Sequence, residues 1–96
     1  MKPSEALLIH RDAIRRIVDS HHATNPRVFG SVLHGVDTVC SDLDLLVDPQ
    51  SNTTLLDLGG LQDELHELLG VPVDVKTPGD LPTRFREAVL EEAKPL

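Results

Sequence analysis

The feature that most constrains the fold is a pair of aspartates, Asp42 and Asp44, set at the start of an apolar segment. Residues 43 to 47 are otherwise leucine and valine, and Asp48-Pro49 closes the segment, which predicts a largely buried strand. Side chains alternate faces along a strand, so Asp42 and Asp44 share one face. Two adjacent carboxylates repel one another, and burial increases the conflict. A divalent cation would remove it, since carboxylate oxygens are ligands that Mg²⁺ prefers.

A third carboxylate, Asp74, lies in another apolar segment, from Val71 to Val75. An ionised side chain among valines is costly without compensation, and a neighbouring strand would bring Asp74 beside the first pair. Three acidic groups at one site suit phosphoryl chemistry, in which two ions activate the attacking oxygen and stabilise the leaving pyrophosphate. We therefore expect Asp42, Asp44 and Asp74 to be both metal ligands and catalytic residues.

A Gly-Ser pair, Gly30-Ser31, precedes Asp42 by ten residues and follows a short apolar segment. Glycine allows the backbone to approach a phosphate closely, and amide groups at the start of a following short helix can bind the anion. The Ser31 hydroxyl adds a donor. Gly30 and Ser31, together with Asp42 and Asp44, are the expected nucleotide-binding residues.

The remaining pattern predicts helices and strands in the order helix, strand, strand, helix, strand, helix. The predicted helices run from Ser4 to about His22, from Leu55 to Leu69 and from Leu81 to Ala93, with Ser4, Gly70 and Asp80 as caps. The predicted strands cover 27–29, 43–47 and 71–75, with a short helical turn at 31–33. We expect a single domain, residues 1–96, of the α/β (α+β) class. Its small mixed sheet should have three or four strands packed with three to four helices.

The composition of the chain limits the kinds of molecule that it is expected to bind. The net charge is −7, from 9 Lys+Arg against 16 Asp+Glu, and the aromatic residues are two phenylalanines. Direct nucleic-acid binding is not expected, because it needs clustered basic residues and stacking aromatics. Cys40 is the single cysteine, so no internal disulfide forms. Without a signal-peptide pattern or a membrane-spanning apolar run, a cytoplasmic location is expected.

The spacing of Gly30-Ser31 and Asp42-x-Asp44 resembles the signature of the DNA-polymerase-β-like nucleotidyltransferase superfamily. With the short chain, the run from Ser41 to Val47 resembles its minimal nucleotidyltransferase (MNT) domains. The resemblance implies the nucleotidyltransferase fold, with Gly30 and Ser31 holding the triphosphate and Asp42 and Asp44 binding two Mg²⁺ ions. Asp74 would bind the catalytic ion and help deprotonate the acceptor hydroxyl.

The resemblance also implies a partner and a reaction. MNT proteins are typically antitoxins paired with a HEPN-domain ribonuclease toxin, and members transfer AMP from ATP to a tyrosine of that toxin. A chain of 96 residues has little room for an acceptor domain of its own, which fits an acceptor on another protein. One departure is Leu33-His34, where many relatives have Ala-Arg. His34 could replace the arginine contact when protonated or by hydrogen bonding, which bears on acceptor choice and rate.

Two alternatives stay open at this stage. The domain could be a catalytically silent antitoxin that neutralises its partner by contact, or it could transfer a nucleotide to a small molecule such as an aminoglycoside. The sequence also leaves open the nucleotide base and whether the chain forms a homo- or hetero-oligomer.

Overall fold

The computed structural model describes residues 1–96 and contains one four-stranded sheet. Its strands are β1 (Ala23–Phe29), β2 (Leu43–Pro49), β3 (Val73–Lys76) and β4 (Lys94–Pro95). They lie in the order β3-β2-β1-β4, with β2 parallel to β3, and β1 antiparallel to both β2 and β4. The mixed sheet confirms the predicted fold class.

Five α-helices accompany the sheet. They are α1 (Pro3–Ile9), α2 (Arg11–Ser20), α3 (Gly30–Leu33), α4 (Leu55–Leu69) and α5 (Thr83–Glu92), with a 3-10 turn at Pro78–Asp80. The bounds of α4 are as predicted: Thr54 accepts a hydrogen bond from the Asp57 amide at its start, and Gly70 ends it in the left-handed conformation. None of the helices has the length and apolarity needed to cross a membrane.

The alternation of side chains along β2 places the apolar core and the acidic residues on opposite faces of the sheet. The odd-numbered residues of β2 before Pro49 are fully buried in the main apolar core, together with residues of α1, α2 and α4. The buried members on β2 are Leu43, Leu45 and Val47. The even-numbered residues point to the opposite face, where Asp44 and Asp48 are half-buried. Strand parity therefore separates the core from the acidic residues, as predicted.

The single helix predicted from Ser4 to His22 is divided into α1 and α2 by His10. The break changes the direction of the apolar face, so that Ala6 and Leu7 of α1 and Ile14 and Val18 of α2 are all buried. Ser4 is not the cap that was predicted. Its amide instead donates to Asp37 Oδ2 at 2.9 Å, which ties the loop before β2 to the first turn of α1.

Other boundaries also differ from prediction, and β3 covers Val73–Lys76 rather than 71–75. Strand β1 begins at Ala23 because a bulge, with Asn25 at φ 53°, absorbs the Asn25-Pro26 pair that reads as a helix end. Asp80 does not cap α5; its carboxylate accepts hydrogen bonds from Thr77, and the helix starts at Thr83. The two-residue strand β4 was not predicted, because Lys94-Pro95 carries no strand signal.

Candidate active site

Gly30 joins the end of β1 to the start of α3 and lies directly against Asp44. Its φ is +72°, a conformation that favours glycine, and a Cβ built at this position would lie 2.2 Å from Asp44 Oδ2. The amide of His34 donates to the Gly30 carbonyl and the amide of Val36 to that of Ser31, which folds α3 into a tight turn. The predicted Gly-Ser turn is therefore packed on the carboxylate that follows it 14 residues later.

Asp44 and Asp74 are direct partners on the parallel strands β2 and β3. In-register partners on neighbouring strands project from the same face, and the strands lie about 4.8 Å apart. Asp74 is 42% exposed, so the pair opens to solvent on one side. The sheet thus brings together two carboxylates that are 30 residues apart in the sequence.

Asp42 lies one residue before β2 and is exposed. The next residue, Leu43, donates its amide to the Pro72 carbonyl at 2.8 Å, so the chain at this point is held beside the approach to β3. The negative charge of Asp42 acts on Asp44 and raises its pKa. Asp42 is therefore near the pair, although it lies outside the sheet.

The electrostatics of the site are those of crowded carboxylates. Burial raises the pKa of Asp44 to about 6, with further increases from the charges of Asp74 and Asp42 and a smaller opposing effect from Lys76. No three acidic, histidine or cysteine side chains form a ready-made set of metal ligands. The residues nevertheless suit divalent metal, because a bound cation would offset both the burial and the repulsion that make Asp44 hard to ionise.

The raised pKa of Asp44 predicts a stabilising substitution. An aspartate of ordinary pKa in the unfolded chain ionises near pH 4, whereas Asp44 in the folded protein ionises near pH 6. Folding stability is therefore lost as pH rises from 4 to 6, and the full loss is present at pH 7. Because the site is partly open to solvent, we discount the effect to about 1 kcal/mol. In EDTA at pH 7.5, we expect Asp44→Asn to raise the melting temperature by about 4 to 8 °C.

Thermal denaturation of both proteins in EDTA between pH 4 and pH 8 checks this expectation. The advantage of the variant should be mostly lost at pH 4, where Asp44 is protonated in the folded chain and about half ionised in the unfolded chain. An advantage that persisted unchanged at pH 4 would show that charge is not its cause.

The other residues considered from the sequence are not among the groups that act on Asp44. Asp48 pairs with Arg27 and Asn25 at the far end of β2, in agreement with a structural role. His34 follows α3, and its Nε2 lies 3.3 Å from Glu92 Oε2 at the end of α5. Cys40 is exposed in the loop before β2.

Two residues near the site were missed or given little weight in the sequence. Gln62 of α4 accepts a hydrogen bond from the Val75 amide at 3.0 Å, which holds the outer edge of β3 next to Asp74. Lys76 Nζ lies 3.6 Å from Asp74 Oδ1. The position of Lys76 two residues after Asp74 is a weak signal, whereas nothing in a helical glutamine indicates a contact to a strand edge.

The cluster forms an open surface. The clefts on the chain have volumes of 230 to 520 Å³, and none is lined by Asp42, Asp44 or Asp74. A nucleotide bound at the carboxylates would therefore remain accessible from outside the domain.

The chain matches a known protein family and several known proteins. A family model described as a nucleotidyltransferase domain matches residues 11–96. A protein of Methanocaldococcus jannaschii, named as an inferred protein adenylyltransferase, is 35% identical over 77 residues, which are 80% of this chain and 83% of that protein. The protein adenylyltransferase MntA of Thermococcus cleftensis is 37% identical over 65 residues, which are 68% of this chain and 66% of that protein.

Two solved structures share the fold. One, described as a proposed minimal nucleotidyltransferase, superposes with a TM-score of 0.87 at 45% identity, covering 97% of this chain and 95% of the other. A second, described as a toxin-antitoxin with AMP-PNP, has a TM-score of 0.74 at 20% identity and covers 88% of this chain and 69% of the other.

Proposed function

Because the chain belongs to the nucleotidyltransferase domain family, as a minimal member of it, we propose that it transfers AMP from ATP to a protein hydroxyl. The proposed acceptor is a tyrosine of a partner HEPN toxin in the cytoplasm, and the chain acts as its antitoxin. The observation that carries the proposal is the pairing of Asp44 with Asp74, with Gly30 packed on Asp44. The relatives named as protein adenylyltransferases support the reaction.

The residues have separate roles in this proposal. Asp42 and Asp44 would hold the divalent ions, proposed to be two Mg²⁺, and Asp74 would be a further ligand of the catalytic ion. The ions would stabilise the charge that develops on the phosphate oxygens. Gly30 allows the backbone to approach the triphosphate, and the Ser31 hydroxyl donates to it.

The reaction is an exchange at the α-phosphorus. The acceptor oxygen forms a bond to the α-phosphorus of ATP, the bond from that phosphorus to the bridging oxygen breaks, and pyrophosphate leaves. Asp74 is the proposed acceptor of the hydroxyl proton, because it opens to solvent on the side from which an acceptor could approach.

The openness of the site supports a protein acceptor. A small-molecule transferase usually encloses its acceptor in a pocket with a few polar groups. Here the three aspartates line no cleft, and a partner protein would have to cover them. The small-molecule alternative is therefore the less favoured one.

Mass spectrometry tests the proposal. The chain would be incubated with ATP, Mg²⁺ and the toxin encoded beside it, and we expect the toxin to gain the mass of one adenylyl group on a tyrosine. Asp63→Asn is a matched control, because Asp63 is an exposed aspartate on α4 outside the site. Absence of a mass gain with any divalent metal would refute the proposal.

A silent antitoxin that acts by contact is the second candidate, and α5 is the observation that favours it. This helix buries none of its residues, and Phe85 remains 53% exposed, so it offers a surface to a partner. The double variant Asp42→Asn, Asp44→Asn separates the two candidates. Full protection of cells by this variant at native expression would mean that contact suffices.

A further inference from the structure

Lys76 is the nearest cation to the carboxylate cluster. It lies two residues after Asp74 on β3 and therefore on the same face of the sheet. Its Nζ atom is 3.6 Å from Asp74 Oδ1, and the two side chains are 40% and 42% exposed. The ammonium group thus contacts the carboxylate that faces solvent and is proposed to hold a metal ion.

The contact between Lys76 and Asp74 matters because the cluster carries several negative charges. Asp42, Asp44 and Asp74 together carry up to three negative charges when ionised. Lys76 is the only cation among the groups that act on Asp44. In the absence of metal, Lys76 therefore partly offsets the repulsion that acts on Asp44.

Binding of a metal ion to Asp74 while Lys76 stays in contact with it is unfavourable in free energy. Both are cations, and they repel one another at the distances that a common ligand imposes. The ammonium group has another anion nearby, because Lys76 also acts electrostatically on Asp80. The Asp80 carboxylate accepts two hydrogen bonds from Thr77 and is fixed on the 3-10 turn.

We propose that Lys76 is a resident counter-cation, which neutralises Asp74 in the metal-free protein and competes with divalent metal for that carboxylate. The inference rests on the proposed role of Asp74 as a metal ligand. It gives Lys76 two effects of opposite sign: it stabilises the empty site and weakens the first metal-binding step.

Calorimetric titration of Mn²⁺ into the metal-free protein, without ATP or toxin, tests the proposal. We expect Lys76→Met to bind Mn²⁺ about three- to tenfold more tightly than the unaltered chain, because a partly exposed ion pair and its repulsion of the ion are removed. The same variant should melt at a lower temperature in EDTA. Lys94→Met is the matched control, since Lys94 is exposed on β4 at the opposite edge of the sheet. It should change the Mn²⁺ affinity by less than about twofold, and Lys76→Arg should resemble the unaltered chain.

The opposite results are equally clear. An unchanged or weaker Mn²⁺ affinity for Lys76→Met would overturn the proposal, even if the variant were less stable, because that pattern belongs to a purely structural lysine. If Lys76→Met does not fold in EDTA, Lys76→Gln is titrated instead, under the same criterion. An unaltered chain that binds no Mn²⁺ overturns this inference, whereas Mn²⁺ binding without AMP transfer overturns only the proposed function.

Discussion

Replacing Asp44 with asparagine is expected to reduce AMP transfer about a thousandfold or more. Asp44 is the carboxylate nearest the centre of the site, since it is paired with Asp74, contacted by Gly30 and influenced by Asp42. Loss of its charge weakens the hold on both proposed ions, which contribute several kcal/mol to transition-state stabilisation. Each 1.36 kcal/mol corresponds to a factor of ten in rate. The rate of toxin modification at saturating ATP and Mg²⁺ is the measurement.

The loss of activity in Asp44→Asn should be compared with the change in its stability. The same substitution should raise the melting temperature in EDTA, so a large loss of activity would occur in a protein that is better folded. Asp63→Asn should change neither quantity appreciably. An Asp44→Asn protein that retained more than about a tenth of the activity would contradict a central role for this carboxylate.

Replacing Gly30 with alanine is expected to impair both folding and transfer. The new Cβ would lie 2.2 Å from Asp44 Oδ2, and the backbone would keep a φ of +72°. The backbone term costs about 1 to 2 kcal/mol, and overpacking adds about 1 to 3 kcal/mol. Asp44 must also move, and a displacement of about 1 Å in a catalytic group can cost a hundredfold in rate. Chemical denaturation and the modification assay measure the two effects.

Gly35 provides a control within the same loop. It has a φ of +70° but no atom within 4 Å of a built Cβ, so Gly35→Ala reports the backbone term alone. The difference between the two alanine variants then measures the collision with Asp44. Adding Asp44→Ala to Gly30→Ala should recover stability but not activity. Equal destabilisation by Gly30→Ala and Gly35→Ala would show that the contact between Gly30 and Asp44 is unimportant.

The central part of the fold was predictable because strand alternation is a local property. The parity of residues 42 to 48 predicts that Leu43, Leu45 and Val47 form core while Asp44 faces away, and the structure confirms this. The helix from Leu55 to Leu69 was also predictable, since its apolar residues recur at helical spacing and Gly70 is a local signal at its end. The roles of the aspartates in metal binding stay predictions.

The features of the fold that were not predicted depend on contacts between residues that are distant in sequence. The register that sets Asp44 beside Asp74 arises from the pairing of β2 with β3 across 15 residues of helix. The break at His10 follows from the need to bury two apolar faces that a straight helix would direct differently. The bulge at Asn25 allows strand β1 to pass through residues that locally favour a turn, so its first half was not predicted.

The placement of Asp42 just outside β2 has a consequence for turnover. Asp44 and Asp74 are fixed by the hydrogen bonds of the sheet, whereas Asp42 belongs to the preceding loop. Rotation about a few backbone bonds can move its carboxylate without disturbing the buried leucines that follow. Loop motions of this kind take nanoseconds to microseconds, far faster than the rearrangement of a packed domain. In the proposed reaction, Asp42 would be the carboxylate able to move when pyrophosphate is released, while Asp44 and Asp74 would keep their positions in the sheet.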